Sequence, residues 1–294
     1  MSGIKSILVP AMGDAGDDTR LATAAAVAQL FQAHIECLHV RAEIGDQLAS
    51  TLSVQPPTIA SAEFMAAIAT EVERRAHEAR RAFDTVCRTQ KIPVSAGIAT
   101  TAAVSADWRE ESGDDVETLI VRACRHDLAV VRCEMPRQGP SRGLPPDSAG
   151  AVLIRAGVPI LLAGATAPRS FATVAIAWKD RPEASRAVTG AMPFIAAARK
   201  VVVMTVAESA APGGYAADAV VERLRWHGYE AAELRCPAPE RGAGAGHLVA
   251  EAVKAGADLL VMGAYGHSRL REWVFGGYTR HVLSGIDLPV LLAH

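Results

Sequence analysis

Two short segments of this chain occur twice. His126-Asp127-Leu128-Ala129-Val130-Val131 matches Ala257-Asp258-Leu259-Leu260-Val261-Met262, and Val158-Pro159-Ile160-Leu161-Leu162-Ala163 matches Leu288-Pro289-Val290-Leu291-Leu292-Ala293. The separations are 131 and 130 residues. One apolar strand can match another by chance, but two matches at nearly one offset mark a duplication. A chain of 294 residues carrying this repeat is expected to fold as two like units of ordinary domain size.

Each unit alternates apolar runs with segments of helical spacing. In the first, strands are expected at 6–10, 34–40, 94–100, 127–132 and 158–163, and helices at 19–33, 64–90, 115–125 and 148–156. Residues 44–63 and 136–146 read as loop. A Gly/Ala/Pro linker covers 164–170, and then the pattern starts over. Strands are expected at 173–178, 201–206, 229–234, 258–262 and 288–292. Helices are expected at 182–198, 216–227 and 246–255, with another starting over 276–284. Such alternation predicts an α/β fold of two tandem, doubly wound, mostly five-stranded parallel sheets, with right-handed crossovers and helices on both faces. The expected units are 1–164 and 171–294.

In sheets of this kind a ligand binds beyond the carboxyl ends of the strands. One stretch suits that place. The apolar run 258–262 stops at Gly263, Gly266 follows, and the pair Gly276-Gly277 precedes a segment of helical spacing. Glycines let backbone N–H groups approach a ligand, and a helix N-terminus favours an anion. The shape suits a phosphate; the alternative is turn chemistry alone. No Gly-Lys-Ser or Gly-Lys-Thr follows, so the stretch is not a Walker loop, and it is not the dinucleotide fingerprint.

Composition narrows the rest. Half the residues are hydrophobic, while only 5% are aromatic, as expected where Ala-, Val- and Leu-rich helices cover a parallel sheet. A net charge of −2 argues against a general nucleic-acid footprint. Cys37, Cys87, Cys124, Cys133 and Cys236 are odd in number and show no CxxC spacing, which indicates neither a disulfide framework nor a zinc site. The start of the chain lacks a signal-peptide build, and no apolar run reaches the ~18 residues that span a bilayer. The expectation is a cytoplasmic protein with no membrane or nucleic-acid partner. His34, His39, His126, His227 and His247 lie apart and show no metal-site spacing. Ser148, Ser185 and Ser284 lack a nucleophile-elbow setting, and no catalytic dyad is visible. Glu71 and Arg75 have the favourable four-residue helical spacing for an ion pair.

Together, the run Ala257 to Gly263, the Gly-x2-Gly-x9-Gly spacing at Gly263, Gly266 and Gly276, the closing Leu288-Pro289-Val290, and the turn Trp178-Lys179-Asp180-Arg181-Pro182 resemble the universal stress protein family in its tandem two-domain form. In the first half, Ile7-Leu8-Val9-Pro10 and Leu38-His39-Val40 resemble its opening strands. The resemblance implies a Rossmann-like fold, similar to the adenine nucleotide alpha hydrolases. It also implies a stress-response protein that binds ATP or another adenine nucleotide, with or without magnesium; with no catalytic dyad visible, an enzyme is not expected. Phosphates would meet Gly263, Gly266, His267, Gly276, Gly277 and Thr279, the base would lie near Ala177, Lys179 and Val206, and Met262 would belong to the same site.

The sequence departs from the family's pattern in three respects. Gly277 stands where the family usually has Ser or Thr, leaving Thr279 as the nearest hydroxyl. Lys179 stands where it usually has an Asp, and a cation cannot accept hydrogen bonds from a base or ribose. The first half has lost the pattern, with Met12 at the Asp position and Arg132 and Met135 at the first two glycines. That half is therefore expected to bind no nucleotide and to act as pseudo-dimer partner to the other. Self-association through sheet-edge strands is a further expectation. The competing readings are a protein-interaction scaffold without nucleotide and a very weak ATP hydrolase.

Overall fold

A computed structural model describes residues 3–41, 62–95, 103–132, 146–206, 217–237, 244–264 and 288–294. The described chain runs β1 (Ser6–Pro10), α1 (Asp17–Phe31), β2 (His34–Arg41), α2 (Ala62–Gln90), β3 (Ser105–Ser112), α3 (Asp115–Ala123), β4 (Leu128–Val131), α4 (Pro146–Arg155) and β5 (Ile160–Leu162). It then repeats as β6 (Thr173–Ala177), α5 (Pro182–Ala197), β7 (Lys200–Val206), α6 (Asp218–Trp226), β8 (Ala232–Cys236), α7 (Gly244–Lys254), β9 (Leu259–Gly263) and β10 (Val290–Ala293).

The two expected sheets are one. The strand order is β3-β2-β1-β4-β5-β10-β9-β6-β7-β8, so each half has the same internal order, reflected about the middle. Among the described strands, pairing is parallel within each half and antiparallel only at the joint, where Val290 faces Leu162 and Leu292 faces Ile160. Every residue of β4, β5 and β10 is buried, which accounts for their continuous apolar runs. Two cores flank the sheet. One lies under α1, α2, α5 and α6 and includes Phe83, Phe194 and Leu224. The other lies under α3, α4 and α7 and includes Leu119, Leu153 and Val249. The halves also meet through α1 and α5, whose Phe31 and Phe194 rings pack edge-on at 5.0 Å.

The duplication extends to single hydrogen bonds. Asp127 accepts from Lys5 N (2.8 Å) and Ser6 N (3.0 Å), tying the start of β4 to the start of β1. Asp258 accepts from Thr173 N (2.9 Å) and Ser170 Oγ (2.8 Å), tying β9 to β6 in the same way. The aspartate of the repeated segment is thus a strand tether in both halves. At the far end Ala11 N reaches Leu38 O at 2.8 Å, and Trp178 N reaches Met204 O at 2.9 Å.

One expected strand is misplaced. Of 94–100, Val94 forms a single bridge to Ala106 and 96–100 lie outside the described residues. The third strand is instead Ser105–Ser112, whose Trp108-Arg109-Glu110-Glu111 run carries no apolar alternation. It is an edge strand, and its charges find partners: Asp107 with Arg109 at 2.9 Å, and Glu110 with Arg41 at 2.7 Å. The third strand of the second half likewise lies later than expected, at Ala232–Cys236. The expected loops 44–63 and 136–146 fall almost wholly outside the described residues, and the helix start at 276–284 entirely so.

Candidate functional site

The sheet gathers part of the expected site. Ala177 ends β6 and lies between Met204 of β7 and Met262 of β9, so Ala177, Val206, Met262 and Gly263 stand together at the carboxyl ends of three adjacent strands. Lys179 follows two residues beyond β6. Gly266, His267, Gly276, Gly277 and Thr279 lie outside the described residues.

Gly263 has a geometric reason to be glycine. A Cβ there would lie 2.5 Å from Ala184 N and 2.6 Å from the Glu183 carbonyl carbon, inside contact distance of the first turn of α5. The strand end and the helix start therefore touch backbone to backbone. Helix α5 opens with Arg181 extended at its N-cap, no side-chain cap, and Pro182 at the first helical position. Arg181 N donates to Lys179 O at 2.7 Å, and Trp178 Nε1 donates to Asp180 Oδ1 at 3.1 Å, which fixes the turn. Beyond Gly263, the Ala264 amide donates to Ala293 O at 2.8 Å.

The same place in the first half is built from different chemistry. The paired strand starts put Ser6 against Thr173, so Asp17 and Arg20 occupy the positions of Ala184 and Ala187. The Asp17 carboxylate accepts from Met12 N (2.9 Å) and from Gly13 N (2.7 Å). Both amides belong to the loop between β1 and α1. Arg20, fully buried, donates to Asp17 and lies 3.4 Å from Asp14. Burial pushes the Asp14 carboxyl above its usual range, against the pull of Arg20. Gly13 is left-handed at φ +67, and a Cβ on it would fall 2.3 Å from the Arg75 carbonyl oxygen, so α2 presses on this loop. Arg132, in the place of Gly263, donates to Gly164 O at 2.8 Å and ties down the linker.

The triad Asp14, Asp17 and Arg20 was not legible in the sequence. The three-residue spacing from Asp14 to Asp17 to Arg20 is a signal, but first-turn acids are common in helices. Asp115 was also missed. Burial, and then Asp114 beside it, push its carboxyl up to about 6, while His39 and Arg75 oppose the shift. The expected pair Glu71–Arg75 is present at 2.9 Å. No cluster with metal-ligating composition occurs among the described residues, and no described helix is long and apolar enough to cross a membrane.

Residues 171–294, the half that carries Gly263, match the model of the universal stress protein family. Among solved structures, a universal stress protein from Archaeoglobus fulgidus DSM 4304 aligns with 98% of this chain and 95% of its own, at 15% identity and a TM-score of 0.62. A putative universal stress protein from Pseudomonas aeruginosa UCBPP-PA14 aligns with 99% of this chain and 93% of its own, at 15% identity and a TM-score of 0.50. These likenesses span both halves and show a shared fold. A universal stress protein solved in complex with cAMP is 23% identical over 42% of this chain and 96% of its own, with a TM-score of 0.31; the complex is a property of that protein. No curated protein sequence matches the chain.

Proposed function

We propose that the chain is a stress-response protein that binds one adenine nucleotide, ATP or a close relative, through its C-terminal half, while the N-terminal half serves as a fixed pseudo-dimer partner. The observation that carries this reading is the backbone-to-backbone contact of Gly263 with the start of α5. It sets the carboxyl end of β9 directly against the first turn of α5, at the place where an α/β sheet takes its ligand. The glycine spacing that continues through Gly266, His267, Gly276, Gly277 and Thr279 then supplies amides and a hydroxyl for phosphates. The match of residues 171–294 to the universal stress protein family model supports the same reading. With no catalytic dyad visible in the sequence, this reading has the chain hold its nucleotide rather than turn it over.

Lys179 favours a second reading, an interaction scaffold without nucleotide. A cation at the end of β6 offers a base no acceptor, though it suits a phosphate. Isothermal titration of the full chain with ATP separates the two. Heat that saturates, and that Gly276→Val abolishes without lowering the melting temperature, supports nucleotide binding. No heat at millimolar ATP leaves the scaffold. Phosphate release above background from the bound complex would restore the hydrolase reading.

A further inference from the structure

The ten-stranded sheet ends in two outer edges, and they differ. Along β3 the preceding chain already runs beside the strand: Ala106 N donates to Pro93 O at 2.9 Å, and Ser95 N donates to Ala106 O at 2.9 Å. Strand β8 pairs with β7 on one side, and no described residue pairs with its other side. Its side chains alternate. Leu234 and Cys236 join the core under α3, α4 and α7, whereas Glu233 and Arg235 stand exposed on the opposite face, 3.7 Å apart.

We infer that β8 is a docking edge for a second copy of this chain. The two β8 strands pair antiparallel about a twofold axis through Leu234, so that each Glu233 faces the second copy's Arg235. Charge selects this register. In a continuous sheet, a twofold centred on Glu233 or on Arg235 sets like charges opposite each other, whereas one centred on Leu234 pairs opposite charges twice. The fold already contains a joint of this kind, since β5 and β10 pair antiparallel across the centre of the molecule. Trp226, 78% exposed and the most exposed large apolar side chain among the described residues, ends the helix that leads into β8.

Sedimentation of the full chain over a range of concentrations tests the inference. The chain is expected to self-associate. Glu233→Arg, which sets like charges opposite each other twice, weakens association at least about tenfold. The double variant Glu233→Arg/Arg235→Glu restores it, and Arg109→Glu on the β3 edge leaves it unchanged. A chain that is monomeric at every concentration overturns the inference, for then the charged pair only guards the edge. Association indifferent to Glu233→Arg, or a double variant that stays dissociated, overturns it equally.

Discussion

The two halves share a strand order, a tether aspartate and a pair of flanking cores, yet they treat the carboxyl edge of the sheet in opposite ways. In the C-terminal half small residues meet: Gly263 touches the backbone at Ala184, and Ala187 lies one turn further on. In the N-terminal half the same positions carry Arg132, Asp17 and Arg20. There the loop amides of Met12 and Gly13 already hold a carboxylate, and Arg132 holds the linker. An internal carboxylate, Asp17, plugs this loop by accepting from both amides. The two halves thus keep one strand order while differing in the side chains at this edge.

The largest effect expected from breaking this contrast is at the plug. Asp17→Asn leaves Arg20 buried with its main partner gone, and removing one member of a buried ion pair costs about 3–5 kcal/mol. Chemical denaturation should show that loss. A loss under 1 kcal/mol would mean that the plug is not what holds this edge. The variant should leave ATP affinity in the other half unchanged.

Next is Asp115, whose counterpart by the repeat offset is Gly246. Its folded pKa of about 6 lies above its ordinary value of 3.8, so the fold favours the protonated acid. The stability it contributes is present at low pH and is lost as pH rises from about 4 to above 6. The two-unit shift corresponds to at most about 3 kcal/mol. Asp115→Asn should therefore be more stable than the parent at pH 7.5 and equal to it near pH 4. A pH-independent difference would remove Asp115 as the source.

A smaller effect is expected at Gly263→Ala. The added methyl must push apart the end of β9 and the start of α5, at about 1–3 kcal/mol as for other overpacked sites. It should also weaken ATP binding, because the loop that follows is re-aimed. If the melting temperature falls while affinity is unchanged, Gly263 serves packing alone.

Much of the fold was legible because buried parallel strands announce themselves. The runs at Leu128–Val131 and Leu259–Gly263 are apolar throughout, and their repetition revealed the duplication. Strand β3 was hidden because an edge strand can satisfy Asp107, Arg109 and Glu110 with ion pairs and need not alternate. The joining of two sheets into one was not legible either, since nothing local to Ile160–Leu162 or Val290–Ala293 specifies a partner. At the candidate site, Ala177, Val206, Met262 and Gly263 converge as the strand ends required. The plug escaped notice because Asp14, Asp17 and Arg20 lie in a helix start where such residues are ordinarily solvated.

Photolabelling with 2-azido-ATP, followed by peptide mapping of the labelled chain, tests the contrast between the halves most directly. The account predicts competable label on peptides from 171–294 and none on peptides from 1–164. Competable label in the N-terminal half would contradict it.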